Sequence, residues 1–436
     1  MSTERETRKP YKHVDRIDVL LWGQLIGRVA IDPAYGYYAF AYTPEFRRTG
    51  IEPAPLRMPT QLDEVFLFVD LPEVTYKRLP AMLSDALPDD FGNVLIDRYM
   101  ADHGIDAGAV TPLDRLAYMN NRAMGALTFK PSRGPASRTA TAIKLGELVH
   151  AARQAVHGGL DTDAQAYEAL RQIIEVGTSA GGAKAKAVIA WNPATREIRS
   201  GQVDAPAGFE HWLLKFDGME ANSTLGQPKD SGRVEYAYSL MARHAKVDMT
   251  PCELLEENGR AHFMTKRFDR DAGGVRHHIQ TLCALDHLDY KKKNASSYAQ
   301  VFAVMDRLGL PYEQKEQAFR RMVFNVLARN CDDHTKNISF RLRQGHSWEL
   351  APAYDLTFSY KPGHAWIDRH FLSINGRFLD VQLDDIQAEA DRCGIGSWSR
   401  IVREVREAVT AWPDFAKQAR LPAAVTKTIR DHHRIL

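Results

Sequence analysis

The stretch from Glu313 to Asn337 constrains this chain more than any other part of its sequence. Phe319, Met322, Val323, Val326 and Leu327 recur at i, i+3, i+4, i+7 and i+8, the spacing of one apolar stripe on an α-helix. That spacing predicts a helix over about Glu313–Ala328 whose stripe must be covered by another layer. The helix runs directly into Asn330-Cys331-Asp332-Asp333-His334-Thr335-Lys336-Asn337, a loop of carboxylate, imidazole and amide groups. Taken alone, such a loop fits a catalytic site and a helix cap or solvated turn equally well.

The rest of the chain supplies the layers. With 436 residues it exceeds one ordinary core, so two or three packed subdomains are expected. Hydrophobic residues at 44% and charged residues at 26% fit a globular protein and exclude a disordered one. A formal charge of +2 argues against a strongly basic nucleic-acid binder, although local basic patches remain open. Cys252, Cys283, Cys331 and Cys393 form no CxxC pair and no zinc signature, as expected of free thiols in a reducing compartment. The first residues, MSTERETRKPYKHVDR, lack the apolar core of a signal peptide. No apolar run approaches the roughly 18–20 residues of a membrane helix, so a cytoplasmic protein is expected.

Along the chain, Ile17–Leu21, Leu25–Ala30 and Tyr35–Tyr42 read as strands, the first two joined by a turn at Trp22-Gly23-Gln24. Residues 78–105 read as helical, with Phe91, Val94, Leu95 and Tyr99 on one face. Ala123–Phe129 reads as a strand, and the small polar residues 132–140 as a linker. Residues 141–175 read as helical and lead into the Gly/Ala/Ser loop Val176–Lys186. Strands follow at Ala187–Trp191 and His211–Phe216, a helix at Glu235–His244, and a strand at Ala261–Phe268 closed by a hairpin at Asp271–Gly274. The chain is mainly helical after about residue 295. The fold expected is α+β and two-lobed, like a kinase: an N-terminal subdomain over 11–131 and a core over 141–436. Within the core, a β-rich lobe covers about 141–270 and a helical lobe about 275–436.

Phosphoryl transfer needs phosphates held in place, one or two magnesium ions, and a carboxylate that orients the acceptor hydroxyl. Asp332 and Asn337 stand in the D-x-x-x-x-N register that kinases use for the catalytic Asp and a metal-binding Asn; Asp333 does not. Asp355, in Ala351-Pro352-Ala353-Tyr354-Asp355, follows at the place of a second metal ligand. One amide oxygen and one carboxylate suit magnesium, which keeps several waters. Each aspartate would equally serve as a turn or helix cap if taken alone. Gly177 and Gly182 have P-loop separation, but Ala183 follows where lysine should, so no Walker A motif is assigned. Lys215 lies in an apolar strand, where an ammonium needs an anionic partner; a phosphate or Glu235 could serve. Lys266-Arg267-Phe268-Asp269-Arg270 ends a strand where a two-lobed kinase places the hinge, which meets adenine through backbone groups.

These segments together resemble the HipA-type toxin kinases of bacterial toxin–antitoxin systems. The resemblance rests on Ser179–Lys186, Lys215, Lys266–Arg270, Asp332–Asn337 and Ala351–Asp355. It extends to Trp22–Gly27, Leu87-Pro88-Asp89 and Met124–Leu127 in the N-terminal part. It implies a serine/threonine protein kinase using ATP and Mg2+, with Asp332 as catalytic base and Asn337 and Asp355 as metal ligands. Gly181, Gly182, Ala183, Lys184, Ala185 and Lys186 would cover the nucleotide, and Lys215 would contact its phosphates. Lys266, Arg267 and Phe268 would lie on the adenine side, with His334 and Lys336 at the phosphates and Tyr354 in the same site. Ser179 matches the serine that such kinases autophosphorylate, and a phosphate there would act as an off-switch. The resemblance further implies a protein target such as an aminoacyl-tRNA synthetase, a HipB-like helix-turn-helix antitoxin, and DNA contact mainly through that antitoxin. A catalytically silent corepressor and a small-molecule kinase remain open alternatives.

Overall fold

The computed structural model describes residues 11–88, 90–135, 142–143, 145–146, 148–149, 185–201, 205–218, 230–271 and 273–436. Its first sheet contains β1 (Arg16–Leu21), β2 (Gln24–Asp32), β3 (Tyr37–Tyr42), β4 (Val65–Phe66) and β5 (Leu127–Lys130), in the order β4-β3-β2-β1-β5. Every pairing in it is antiparallel. Period-2 alternation sets the buried face: β3 turns Tyr38, Phe40 and Tyr42 inward. The β1–β2 turn has Trp22 at φ 50° and Gly23 at φ 81°, the left-handed pair that matches the strand twist of a two-residue hairpin. The Trp22 indole N–H donates to the Arg276 carbonyl at 2.8 Å, tying this sheet to the start of the helical lobe.

Two expectations in this subdomain need correction. The helix over 78–105 is broken into Ala81–Ser84 and Asp90–Ala101, and its buried side chains include Leu95, Ile96 and Met100. Val94 is 50% exposed, because the helix turns its Leu95–Ile96 side to the core it shares with Leu113 and Leu116. The strand expected over Ala123–Phe129 begins only at Leu127. The carbonyls of Ala123 and Gly125 instead accept hydrogen bonds from the Arg270 and Arg276 guanidiniums, which holds this segment off the sheet.

The second sheet contains β6 (Ala142–Ile143), β7 (Lys186–Trp191), β8 (Ile198–Ser200), β9 (Glu210–Lys215), β10 (Cys252–Glu257) and β11 (Arg260–Lys266). Its order is β10-β11-β9-β7-β8-β6. β6 replaces the start of the helix expected over 141–175, most of which lies outside the described residues. Every residue of β7 is buried, so both faces of the sheet are covered there. The antiparallel register sets Lys186 directly opposite Lys215. The helix Ser231–His244 crosses this sheet so closely that a Cβ at Gly232 would collide with the Ala261 carbonyl of β11, which brings Glu235 beneath β9.

The helical lobe is organised around the helix Tyr312–Leu327, whose Phe319, Met322, Val323, Val326 and Leu327 are all fully buried. Small sheets brace it: β12 (His278–Thr281), β13 (Ser296–Ser297), β14 (Ser339–Leu342), β15 (Trp348–Leu350) and β16 (Leu372–Ser373). They pair as β12-β14-β15 and β13-β16. Among the described residues, no helix is long and apolar enough to cross a membrane.

Candidate functional site

Two lysines on adjacent strands of a covered sheet form the first half of the site. Like charges directly opposite each other repel and are costly to bury, so such a pair persists only with anions beside it. The Lys215 ammonium lies 2.5 Å from Glu235 Oε1 and 2.5 Å from Asp355 Oδ1. Burial works against its charge, but the carboxylates of Asp355 and Glu235 outweigh that penalty and raise its pKa above the ordinary lysine value. Asp355 reaches it from the helical lobe through a left-handed backbone, φ 55°, a conformation an aspartate tolerates better than most residues.

The loop after the Tyr312–Leu327 helix forms the other half. Cys331 N–H donates to the Ser359 carbonyl at 3.0 Å, and the Thr335 hydroxyl to the Leu288 carbonyl at 2.6 Å. The Asn337 amide donates through Nδ2 to the Asp332 carbonyl at 2.7 Å, so the D-x-x-x-x-N spacing closes the loop on itself. Its two adjacent aspartates part company. Asp333 is 2% exposed and serves as an anchor, accepting from Tyr298, His370 and the Phe371 N–H. Asp332 faces a cleft, where its Oδ1 accepts the Trp366 indole N–H at 2.8 Å. His334 Nε2 stands 3.7 Å from the same oxygen.

The cleft encloses about 1320 Å3 and is lined by Lys186, Lys215, Asp332, His334, Lys336 and Asp355 among others. Glu235 and Asn337 stand one hydrogen bond behind that lining. Tyr354 is half-buried, its hydroxyl held by Ser339 Oγ at 2.5 Å and the Lys336 carbonyl at 2.7 Å, and desolvation raises its pKa. Phe268 stacks on Tyr354 at 5.6 Å between ring centroids. Ala185 immediately precedes β7, and its carbonyl accepts the Phe216 N–H. Ser179, Gly181, Gly182, Ala183 and Lys184 lie outside the described residues.

The side chains of the segment Lys266–Arg270 bond within the protein. The Lys266 side chain pairs with Glu210 at 2.6 Å, away from the cleft lining. Arg267 is 5% exposed and spends its guanidinium on Asp269 through bonds of 2.8 and 2.7 Å. Asp269 also accepts from Arg270 and from the Gly125 N–H, and these cations hold its carboxyl well below the ordinary range despite burial. This motif clamps the N-terminal subdomain to the core, and the structure does not bring the Lys266 and Arg267 side chains to the site. Sequence reasoning missed Trp366, whose contact with Asp332 spans 34 positions with no local pattern to announce it.

A β-rich lobe carrying Lys215, a helical lobe carrying Asp332 and Asp355, and a cleft between them define a two-lobed, kinase-like fold. The HipA-like C-terminal domain family matches residues 178–412 and the HipA N-terminal domain family residues 17–130. The chain belongs to the HipA family. Among solved structures, Shewanella oneidensis MR-1 HipA, determined with HipB and its operator DNA, is similar over 95% of both chains. That match has 16% identity and a TM-score of 0.65. The Helicobacter pylori proinflammatory kinase CtkA matches 51% of this chain and 86% of its own at 13% identity, with a TM-score of 0.34. No curated protein sequence matches the chain.

Proposed function

We propose that the chain is an ATP- and magnesium-dependent serine/threonine protein kinase acting as the growth-inhibiting toxin of a toxin–antitoxin module. The observation that carries this reading is the Lys215 ammonium held between Glu235 and Asp355 on the cleft that Asp332 faces. In this reading Lys215 and Lys186 grip nucleotide phosphates. Asp355 and Asn337 fit a magnesium ion: Asn337 spends its Nδ2 on Asp332, so its amide oxygen is the end left to present to a cation. The bound ion would neutralise charge between phosphate oxygens. Asp332 orients the acceptor hydroxyl, with its Oδ1 steadied by Trp366. His334 and Lys336 stabilise the charge that develops on the transferred group.

The same reading makes Ser179 an autophosphorylation site, where nearly two added negative charges in a phosphate-covering loop would repel ATP. The partner proposed is a HipB-like antitoxin that brings the protein to DNA, and the target a translation-related protein such as an aminoacyl-tRNA synthetase. The structure of Shewanella HipA with HipB and operator DNA supports the partner. The test is incubation with magnesium and labelled ATP, wild type beside Asp332→Asn, with and without a host lysate. Label on Ser179 and on a lysate protein, lost in the variant, is the expected result. Label transferred to no acceptor at all, protein or small molecule, would sink the kinase reading and favour a silent corepressor. Label found only on small hydroxyl compounds would replace the protein acceptor with a metabolite.

A further inference from the structure

We propose that Asp85 of the N-terminal subdomain is a positioning residue for the loop that carries Asp332 and Asn337, acting on it through Thr281. The inference rests on the kinase reading for the reaction it serves, and it gives the N-terminal subdomain a part in that reaction. The Asp85 carboxylate accepts the Thr281 N–H at 2.7 Å and the Thr281 hydroxyl at 2.9 Å, across 196 positions of chain. Thr281 ends β12 and pairs with Ser339 of β14, the strand that leaves the loop. The next residue, Leu282, donates its N–H to the Ile338 carbonyl at 2.8 Å. Ile338 directly follows Asn337. Two hydrogen-bonded steps therefore lead from Asp85 to the residue beside the proposed metal ligand, through backbone and one short side chain.

The segment from Thr281 to Asp289 lies between the subdomain and the loop and is bonded to both. On the subdomain side, Arg57 pairs with Asp286 at 2.8 Å, Tyr76 donates to the Cys283 carbonyl at 3.1 Å, and Thr75 donates to Asp289 at 2.6 Å. On the loop side, the Leu282 bond is joined by the Thr335 hydroxyl donating to the Leu288 carbonyl at 2.6 Å. Asp85 differs from the other three holds in meeting the residue paired with β14, and in facing the charge of Lys336. Desolvation raises its pKa above the ordinary carboxylate value, against the pull of Lys336 and of the Thr281 bonds. A carboxylate kept at that cost is explained by what it holds in place. The nucleotide lysines hang from a different support, Lys186 on β7 and Lys215 on β9. Loosening Asp85 should therefore disturb the transfer step and spare ATP binding, because a displacement of about 1 Å at a reacting group lowers rate without touching remote contacts.

The test joins kinetics to hydrogen exchange on the full chain. Asp85→Asn keeps the shape but turns an amide N–H2 toward one of the Thr281 donors. It should lower kcat for ATP-dependent labelling about tenfold and leave the KM for ATP within about twofold. Mass-spectrometric exchange over residues 332–338 should quicken about tenfold, with β7 and β9 unchanged. Thr281→Ser retains both donors and should behave as wild type. Thr281→Val loses the hydroxyl and keeps the N–H, so it should fall between; it also decides the matter should Asp85→Asn not fold. Val29→Ala, in the buried face of the subdomain's own sheet, should lower Tm without changing kcat or exchange in the loop. Unchanged loop exchange or unchanged kcat in Asp85→Asn would overturn the proposal, as would an equal fall of kcat in Val29→Ala. Quickened loop exchange in the variant of a chain that labels no acceptor at all would refute the kinase reading and leave the hold of Asp85 on the loop standing.

Discussion

On the N-terminal sheet, Arg28 of β2 pairs with Asp18 of β1 at 2.9 Å, with side chains 50% and 36% exposed. On the second sheet, Lys215 of β9 pairs with Glu235 and Asp355 while only 10% exposed, with Lys186 across the strand from it. The two sheets share antiparallel pairing and similar strand lengths; they differ in how many faces are covered. Where one face meets water, a charge is cheap and its partner contributes little. Where both faces are covered, each charge must be matched, and a chain that retains one does so for a reason other than stability.

The comparison breaks first at Lys215. Lys215→Met should lower ATP-dependent labelling at least 100-fold and, by leaving Glu235 and Asp355 unmatched, cost about 3 kcal/mol in a denaturant titration. Full labelling, or an unchanged midpoint, would show that the buried lysine resembles the surface pair after all.

A second buried charge sharpens it. His370, 2% exposed, meets Asp333 at 3.0 Å; burial opposes its charge, but the Cys331 sulfur and the Asp333 carboxylate raise its pKa to about 10. A folded pKa above the unfolded value near ~6.5 means this stabilisation is complete below about pH 6.5 and is lost as pH rises through about 10. His370→Gln should therefore cost about 3 kcal/mol near pH 6, and the gap to wild type should close toward pH 10 in parallel urea titrations. A gap that stays constant with pH would mean that the imidazole acts by packing alone.

Trp366 separates holding a carboxylate from holding a fold. Removing its hydrogen bond to Asp332 by Trp366→Phe should lower kcat about tenfold, ~1.4 kcal/mol, while the KM for ATP stays unchanged. A rise in kcat would instead make the indole a blocker of the acceptor position. The smallest effect belongs to the exposed pair: Arg28→Ala should cost no more than about 0.5 kcal/mol and leave labelling untouched.

Features set by near neighbours in the chain are legible in the residues themselves. The stripe on the helix Tyr312–Leu327 and the Trp22-Gly23 turn depend on residues within a few positions of one another, and local sterics decide them. So does the closure of the loop from Asp332 to Asn337. The side-chain partners of Lys266–Arg270 show where that legibility stops. A basic strand end looks the same whether it faces a cleft or clamps a neighbouring subdomain, and only Asp269 meeting Gly125, 144 positions away, distinguishes them. The misplacement of Val94 has the same origin: helical period fixes which residues share a face but not which face the core will take.

The helix, the turn and the closed Asp332–Asn337 loop are thus properties of the sequence, because each is an interaction of short range whose period or spacing is written in consecutive residues. The packed molecule is what carries Asp355 to Lys215 across 140 positions, sets Trp366 against Asp332, and turns Asp333 inward as an anchor. Those outcomes follow from how two lobes and a subdomain share buried surface, a sum over many weak contacts that no local pattern encodes.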